Sequence, residues 1–161
     1  MKTIRGWWID KGGSYVVVQF MLFAAIYFAP GTVLGAWGAF WDGFGRIFGS
    51  ILIMYGLLML SFGTINLGRN LQAEPHPKEN ATLVTSGAYR VVRHPIYSGI
   101  IIGWIGWGLF SQAELTALLA LMLLLPFFDI KTRREERMLA AKFPAYAAYQ
   151  TQVRKLIPFV Y

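Results

Sequence analysis

Four stretches of this chain are long, apolar and free of charged side chains, and they restrict its fold more than any other feature. They cover residues 12–41, 47–68, 95–113 and 115–128. A bilayer core about 30 Å thick is crossed by roughly 20 helical residues, so each stretch is read as one crossing, although the last two are short. With 56% hydrophobic and only 14% charged residues, the chain is more apolar than a soluble core of this size requires. The sequence predicts an all-α integral membrane protein with about four transmembrane helices.

The predicted helices follow one another in a simple order. The first crossing is expected near residues 14–30, and residues 32–41 then return along the membrane interface, where Trp41 is well placed. The third and fourth crossings are separated only by residues 111–114, which predicts a tight helical hairpin. No polar linker divides the chain, so residues 1–161 are predicted to form a single domain.

Positively charged residues lie almost entirely on one side of the predicted crossings. They precede the first crossing, lie between the second and third, and follow the fourth, whereas only Arg46 falls on the other side. Because short cytoplasmic segments are enriched in Lys and Arg, both termini are predicted to be cytoplasmic, in a plasma (inner) membrane, with Arg46 and Glu114 outside. This topology and anionic lipid explain the net charge of +7, so nucleic acid is not an expected partner.

The chain contains no cysteine and two histidines, His76 and His94. Disulfides, thiolate catalysis and Cys-based metal sites are therefore excluded. A His-based metal site would need carboxylates at a ligand spacing that the sequence does not show, so no metal is expected.

Glycines mark the expected contacts between helices. Gly49, Gly56 and Gly63 are seven residues apart, which places them on one helix face, and Gly99 and Gly103 form a similar pair. Small residues let neighbouring helix backbones approach closely, so packing is the expected role of both sets.

The chemically most varied segment, residues 87–99, lies where polar sequence meets the third crossing. His94 is held before Pro95, with Arg93 on one side and Tyr97 on the other. These side chains bring several kinds of hydrogen-bond donor and acceptor to one depth at the membrane boundary. Such a mixture suits a polar cofactor that must meet an apolar substrate.

A polar segment follows the fourth crossing, which is expected to end near Pro126. Thr132 and Glu135 have the spacing of a capping box, which predicts the start of a cytoplasmic amphipathic helix. The cap alone would then explain Glu135. Glu136 has no role in such a cap, so a function for the paired carboxylates stays open beside the structural explanation.

The order of these features resembles a known family. The similarity lies in residues 83–90, in the Arg-His-Pro-Ile-Tyr-Ser-Gly motif of residues 93–99, in Glu135-Glu136 after a helical hairpin, and in the closing Tyr146, Tyr149 and Ile157-Pro158. Over residues 83–158 the chain is similar to the isoprenylcysteine carboxyl methyltransferase and phospholipid methyltransferase superfamily of integral membrane enzymes. The resemblance implies a small helical bundle with a cytoplasm-facing pocket for S-adenosylmethionine, open sideways to lipid.

Residue roles also follow from the resemblance. It implies that the cofactor, with its carboxylate, ammonium, ribose diol and sulfonium, is bound by Arg93, His94, Tyr97, Gly106, Gly108, Glu135 and Glu136. The residues nearest to the chemistry would be His94, Glu136 and Arg154. Methyl transfer is an in-line displacement at an activated carbon, so alignment matters most and no catalytic nucleophile is needed. The implied partners are membrane lipid and a lipophilic or lipidated methyl acceptor.

One departure from the family pattern leaves the acceptor open. The prenylcysteine enzymes that the chain resembles carry a basic residue just before a Val-Pro pair near the C-terminus, where this chain has Gln152-Val153-Arg154. Gln152 offers only neutral hydrogen bonds, although Arg154 could bind a substrate carboxylate from the neighbouring position. The acceptor is thus a prenylcysteine-type carboxylate, a lipid amine or a small thiol.

Two other functions stay open. The closing residues 154–161 also resemble the C-terminus of membrane sterol reductases, which bind NADPH, and Arg133 and Arg134 could hold its phosphates. The alternatives are therefore an NADPH-dependent reduction of an apolar double bond and a non-catalytic membrane scaffold.

Overall fold

The computed structural model describes residues 12–29, 31–32, 35–71 and 80–161, whose regular structure is helical. Six α-helices lie within these residues: α1 Gly13–Tyr27, α2 Ala39–Leu67, α3 Pro95–Phe110, α4 Glu114–Leu119, α5 Leu125–Lys142 and α6 Tyr146–Gln152. Short 3₁₀ turns form at Gly68–Asn70 and Gly87–Arg90, and a π-helical turn, Ala120–Leu124, joins α4 to α5. The predicted all-α class is confirmed.

Two helical stretches are long and apolar enough to cross a membrane, judged by length and composition. They are Ala39–Asn70, with 32 residues, and Glu114–Lys142, with 29 residues. The other two apolar helices are shorter, with 15 residues in α1 and 16 in α3. Because α2 begins at Ala39, Trp41 lies in the first turn of this helix and not in the segment that leads to it.

The fourth apolar stretch and the polar residues after it form one continuous helix. Pro126, in the first turn of α5, has no N–H to donate, and its ring would clash with the carbonyl four residues earlier in a regular α-helix. The wider turn Ala120–Leu124 accommodates the proline, and the helix continues to Lys142. The sequence analysis placed the end of the fourth crossing near Pro126, and the helix itself continues beyond this residue.

Thr132 does not start a helix. It is fully buried in the middle of α5, where its Oγ1 donates to the carbonyl oxygens of Phe128 at 2.6 Å and Asp129 at 3.0 Å. A hydroxyl that bonds back to the preceding turn does not cap the following one. The capping-box interpretation of Glu135 is therefore wrong, and the role of Glu135 must come from its other contacts.

Glycines hold α2 and α3 in close contact. Gly49, Gly56 and Gly63 are all buried on α2. A Cβ atom added to Gly56 would lie 2.7 Å from the carbonyl oxygen of Gly99, and one added to Gly49 would lie 2.7 Å from that of Gly106. These contacts are with backbone atoms of α3, so the predicted packing role is confirmed for Gly49 and Gly56.

A small apolar core joins the other segments. Ile26, Ile101, Phe128 and Leu156 are nearly or fully buried in it, and they come from α1, α3, α5 and the C-terminal segment. Burial of such side chains is the main favourable contribution to their association outside the lipid. Leu156 thereby fixes the residues after α6 against the helices.

Substituting Gly56 by Ala should destabilise the protein. The added methyl group meets backbone atoms of Gly99 and Gly103, which cannot rotate away, and such overpacking costs about 1 to 3 kcal/mol. Gly43 is the control, because it is exposed on the same helix with no atom within 4 Å of an added Cβ. Gly43→Ala should gain about 0.5 to 1 kcal/mol. Thermal unfolding in detergent measures both, and equal midpoints would contradict the close helix contact.

Candidate functional site

Glu136 is a buried carboxylate on α5, and it contacts residues at the start of α3 and on α6. Its Oε1 atom accepts hydrogen bonds from Nε of Arg93 at 2.8 Å and from Nε2 of His94 at 3.0 Å, and its Oε2 accepts from Nε2 of Gln150 at 3.3 Å. The side chains of Arg93 and Glu136 are each 11% exposed. Because an ionised carboxylate can only accept, the contact places a proton on Nε2 of His94.

The backbone before α3 is held by the C-terminal segment. N of Arg93 donates to O of Arg154 at 2.7 Å, and N of His94 donates to O of Lys155 at 3.1 Å. Pro95 then opens α3, a position where its fixed φ angle and missing N–H carry no penalty. These contacts fix the direction in which the His94 side chain leaves the backbone.

The Arg93 guanidinium also caps α6. Its Nη1 atom donates to the carbonyl oxygens of Gln150 at 3.1 Å and Val153 at 2.5 Å, where α6 ends. The last carbonyl groups of a helix have no partner within the helix, so a cation at this end is favourable. Arg93 therefore connects the end of α6 to Glu136 on α5.

His94 lies between two carboxylates. Its Nδ1 atom is 3.9 Å from Oε2 of Glu135, while Nε2 contacts Glu136. The Tyr97 hydroxyl donates to the same Oε2 of Glu135 at 3.3 Å, and the Tyr97 ring stacks on the rings of His94 and Phe128 with centroids 5.8 and 4.7 Å away. Glu135 keeps 26% of its side chain exposed, so it is the carboxylate of the pair that a ligand reaches more easily.

A second charged cluster fastens the C-terminal segment. Oδ1 of Asp129 accepts from Nζ of Lys155 and from the Tyr161 hydroxyl, both at 2.5 Å, and Oδ2 accepts from Nε of Arg133 at 2.7 Å. Lys155 is buried, so its pair with Asp129 is largely shielded from water. The cluster ties both ends of residues 155–161 to α5, next to the backbone that holds Arg93.

A cavity of about 460 Å³ opens beside Glu136. Arg93, Gln152, Arg154 and Lys155 contribute to its walls, and its size is within the range that small-molecule ligands occupy. Arg93 and Lys155 are already paired with carboxylates. The exposed guanidinium of Arg154 has no side-chain partner among the residues that the structure describes, so it is the cation available to a ligand.

Three buried hydroxyl groups lack a hydrogen-bond partner within the described part of the chain. They are Oη of Tyr55 on α2, Oγ of Ser98, which is fully buried, and Oη of Tyr146, whose residue is 2% exposed. Burial, and then the charge of Glu136, raises the pKa of Tyr146, so its hydroxyl stays protonated and can donate. Unpartnered buried polar groups are costly and uncommon in native proteins. The Tyr146 hydroxyl is such an unpartnered donor, and it lies close enough to Glu136 for the charge to affect its pKa. It is therefore suited to donate a hydrogen bond to a polar ligand near Glu136.

The structure brings together most of the residues that were predicted to form the site, namely Arg93, His94, Tyr97, Glu135 and Glu136. Arg154 lies at the cavity wall, and it holds Arg93 through its backbone. His76 lies outside the described residues.

Gly106 and Gly108 do not join this cluster. A Cβ added to Gly106 would lie 2.8 Å from the carbonyl oxygen of Gly49, and one added to Gly108 would lie 2.5 Å from the backbone nitrogen of Ala117. Atoms of α2 and α4 therefore occupy the space next to the backbones of Gly106 and Gly108, where the sequence analysis placed the cofactor.

The sequence analysis did not predict that Gln150 contacts Glu136 or that Asp129 pairs with Lys155. The spacing of Asp129 and Arg133, four residues apart on one helix, signals an ion pair, and the structure contains it. Asp129 and Lys155 are 26 residues apart in the sequence, so no local pattern predicts their contact.

The sequence profile of the isoprenylcysteine carboxyl methyltransferase family matches residues 49–141. This match includes α3, α4, nearly all of α5 and both carboxylates beside His94. The chain belongs to the isoprenylcysteine carboxyl methyltransferase family.

Of three similar proteins, two are named protein-S-isoprenylcysteine O-methyltransferases, and one is named for metal resistance. The cobalt-zinc-cadmium resistance protein CzcN of Cupriavidus metallidurans is 33% identical over 145 residues, which cover 89% of this chain and 61% of that protein. Protein-S-isoprenylcysteine O-methyltransferase B of Arabidopsis thaliana is 30% identical over 120 residues, covering 70% of this chain and 59% of its own length. A Xenopus laevis protein-S-isoprenylcysteine O-methyltransferase is 28% identical over 121 residues, or 71% and 41% of the two chains. The chain thus spans about three fifths of the first two relatives.

Glu136→Gln should destabilise the protein far more than Glu135→Gln. The first substitution leaves the buried guanidinium of Arg93 without its counter-ion, which costs on the order of 3 kcal/mol. The second removes the charge of a more exposed side chain that accepts one long hydrogen bond from Tyr97, so it should cost less than about 1 kcal/mol. Denaturation in detergent measures the two losses. Comparable values would mean that Glu136 does not hold the site together.

Proposed function

We propose that this protein transfers a methyl group from S-adenosylmethionine to a lipophilic acceptor at a membrane. Membership of the isoprenylcysteine carboxyl methyltransferase family supports this reaction class. So do the relatives that are named protein-S-isoprenylcysteine O-methyltransferase. The observation that carries the proposal is the arrangement of His94 between Glu135 and Glu136, beside a cavity of about 460 Å³.

Arg154 at the wall of this cavity, and Glu135 and Tyr146 near its lining residue Glu136, fit the polar groups of the cofactor. The Arg154 guanidinium suits a carboxylate, which it can bind through two parallel hydrogen bonds. Glu135 is an acceptor for an ammonium group or for ribose hydroxyls, and Tyr146 is a buried donor without a partner among the described residues. Both charges at the amino-acid end of the ligand would then meet an opposite charge.

Bound S-adenosylmethionine supplies a methyl group that its sulfonium activates for displacement. The side chains of this protein then have to orient the reacting groups and exclude water. Glu136 is engaged by Arg93 and His94, so we assign it a positioning role, whereas Glu135 contacts the ligand. The tautomer of His94 with its proton on Nε2 has a lone pair on Nδ1, and this atom is the one that would accept a proton from an acceptor that arrives protonated. An ionised acceptor needs no base.

Removing the charge of Glu135 should weaken cofactor binding without unfolding the protein. Glu135→Gln keeps the shape of the side chain but loses a charge-assisted hydrogen bond worth about 1.5 to 3 kcal/mol, so the affinity for S-adenosylhomocysteine should fall roughly ten- to a hundredfold. Arg154→Gln should have a comparable effect for the same reason. Arg90→Gln is the matched control, since Arg90 is exposed and does not line the cavity.

Calorimetry of the purified protein in detergent measures these affinities, and the unfolding midpoint reports whether each variant is folded. Unchanged affinity in folded Glu135→Gln and Arg154→Gln would remove this cavity as the cofactor site.

The same measurement separates the alternative functions. The parent protein should bind S-adenosylhomocysteine more tightly than NADPH. Arg133, one of the two arginines considered for the phosphates of a dinucleotide, is already paired with Asp129. Tighter binding of NADPH would favour the reductase, and binding of neither ligand would favour a scaffold.

We also propose that the helices cross a plasma (inner) membrane four times within one domain. Contacts at the end opposite Glu136 support this arrangement. Thr32, after α1, donates to Oε1 of Glu114 at 2.7 Å, and Gln112, after α3, bonds to Asp42 in the first turn of α2. From Glu114 to Glu136 the helix rises about 33 Å, close to the thickness of a bilayer core. The site would then lie at the side rich in Lys and Arg, which we assign to the cytoplasm with both termini.

Cysteine labelling should reveal this orientation, because the chain has no native cysteine. Glu114→Cys should react with a membrane-impermeant thiol reagent in intact cells. Lys142→Cys should react only after permeabilisation. The opposite labelling pattern would reverse the orientation, and labelling of both positions in intact cells would contradict a crossing between them.

A further inference from the structure

A turn at residues 157–161 presents two large apolar side chains to its surroundings. Phe159 is 90% exposed and Val160 is 71% exposed. The backbone of the turn is held in place, because N of Ile157 donates to O of Tyr161 at 2.7 Å and N of Tyr161 donates to O of Ile157 at 3.0 Å. Phe159 has a φ angle of 65°, in the left-handed region that bulky residues rarely adopt. Such a conformation persists only where the surrounding structure imposes it, and here it leaves an aromatic ring exposed.

Two contacts fix the depth of this turn along α5. Leu156, immediately before the turn, packs in the apolar core with Phe128, and the Tyr161 hydroxyl donates to Oδ1 of Asp129 at 2.5 Å. The helix rise places Asp129 about 22 Å from Glu114, which is less than the thickness of a bilayer core, about 30 Å. In the membrane orientation proposed above, the turn is therefore level with the lipid acyl chains near the cytoplasmic surface. Its exposed side chains then face lipid instead of water.

The exposed face of α5 changes from apolar to basic just beyond this depth. Ile130 is 56% exposed, and Arg133 and Arg137 are exposed three and seven residues later on the same side of the helix. The helix rise places the two arginines about 28 and 34 Å from Glu114, where the hydrocarbon core meets the headgroup layer. Arg133 and Val160 line the same cavity, so the turn lies beside this face. Together, the turn and the basic face match the acyl and phosphate layers of one leaflet.

The basic face has more positive than negative charge. Asp129 is its carboxylate, and it already pairs with both Arg133 and Lys155. Arg137 is exposed and forms no ion pair with a carboxylate among the described residues; its Nε atom donates to the carbonyl oxygen of Arg133 at 3.3 Å. These three cations therefore share one carboxylate. A lipid phosphate at this depth would supply further negative charge, as anionic lipids do for basic clusters at the cytoplasmic leaflet.

We propose that the 157–161 turn is a membrane anchor that binds an anionic phospholipid. Phe159 and Val160 lie among the acyl chains of the cytoplasmic leaflet, and Arg137, together with Arg133, binds the lipid phosphate. The inference rests on the membrane orientation proposed above, and it adds a lipid partner to the proposed methyl transfer.

The anchor also acts on the cofactor cavity. Val160 and Tyr161 form part of the cavity wall, and O of Arg154, in the adjoining segment, accepts from N of Arg93. A lipid that fixes the turn therefore stabilises this wall. Cofactor and anionic lipid should each strengthen the binding of the other, because coupling between two sites is reciprocal.

The depth of Phe159 can be measured directly, because the chain has no native cysteine. Phe159→Cys, labelled with bimane and placed in lipid nanodiscs, should be quenched strongly by lipids that are brominated in their acyl chains. The control is Ala141→Cys, exposed on α5 and about 18 Å beyond Asp129 along the helix, which should not be quenched. Equal quenching of the two labels, or none at Phe159→Cys, would overturn the anchor.

The same label tests the preference for anionic lipid. In mixed nanodiscs, brominated phosphatidylglycerol should quench the Phe159→Cys label more than brominated phosphatidylcholine at the same fraction. Adding Arg137→Gln should reduce this preference about fivefold, whereas Arg137→Lys should keep most of it. Arg90→Gln, at an exposed arginine of another segment, is the matched control and should leave the preference unchanged. Equal quenching by the two lipids would overturn the phospholipid site.

Cofactor affinity tests the coupling. The parent protein should bind S-adenosylhomocysteine about fivefold or more tightly in phosphatidylglycerol nanodiscs than in phosphatidylcholine nanodiscs. This ligand has no net charge, so the charge of the lipid does not change its concentration at the surface. Arg137 does not line the cavity, so Arg137→Gln should bind the ligand like the parent in phosphatidylcholine and lose the gain in phosphatidylglycerol. Equal affinity of the parent in both lipids would overturn the coupling.

These measurements also separate the anchor from the proposed function. Selective quenching by phosphatidylglycerol in a protein that binds no S-adenosylhomocysteine in either lipid would contradict methyl transfer and support the anchor. Binding of S-adenosylhomocysteine without quenching at Phe159→Cys would support the cofactor site and overturn the anchor.

Discussion

The ion pair of Glu136 with Arg93, together with the hydrogen bond from His94, holds the polar end of the molecule together. A carboxylate at this depth is stable only if its partners replace the water that it has lost, and one oxygen of Glu136 accepts from both residues. The same Arg93 satisfies carbonyl groups at the end of α6. Three separate parts of the chain therefore depend on one buried charge, and the cavity exists because they meet there.

The helices around this site are packed in two different ways. On one side, α2 and α3 touch through glycine backbones, a contact with no side chains that can adjust. On the other side, α1 and α3 meet through aromatic rings that leave space between them. Rings can tilt and shift at small cost, whereas backbones cannot. The first contact thus fixes the position of α3, and the second leaves an apolar groove between the helices.

The sequence predicted those features that depend on local composition or on spacing along one helix. The apolar stretches are helices, and Pro95 opens α3, a position that its own chemistry favours. The contact of His94 with the paired carboxylates was expected only from the family resemblance, because His94 and Glu136 are 42 residues apart. Thr132 was misread because its spacing to Glu135 also occurs within a helix, and the spacing does not reveal whether the chain is already helical.

Other features depend on contacts between distant segments and could not be predicted. Gly106 was expected to face a ligand, but the face of α3 that meets α2 is decided by the packing of whole helices. The pair of Lys131 with Gln19 joins residues 112 positions apart, and neither residue has a neighbour in sequence that indicates the other. Long-range pairs of this kind become visible only when the helices are assembled.

The π-helical turn Ala120–Leu124 has a consequence for how this site can change during evolution. A π turn contains one residue more than the α-helical path it replaces, and each residue advances the side chains by about 100° around the helix axis. The turn therefore determines which side chains of α5 face His94. Deleting one residue before Pro126 would rotate Glu135 and Glu136 away together while leaving every residue of the cluster in the chain. The geometry of the site therefore depends on the number of residues in Ala120–Leu124 as well as on the side chains of the site itself.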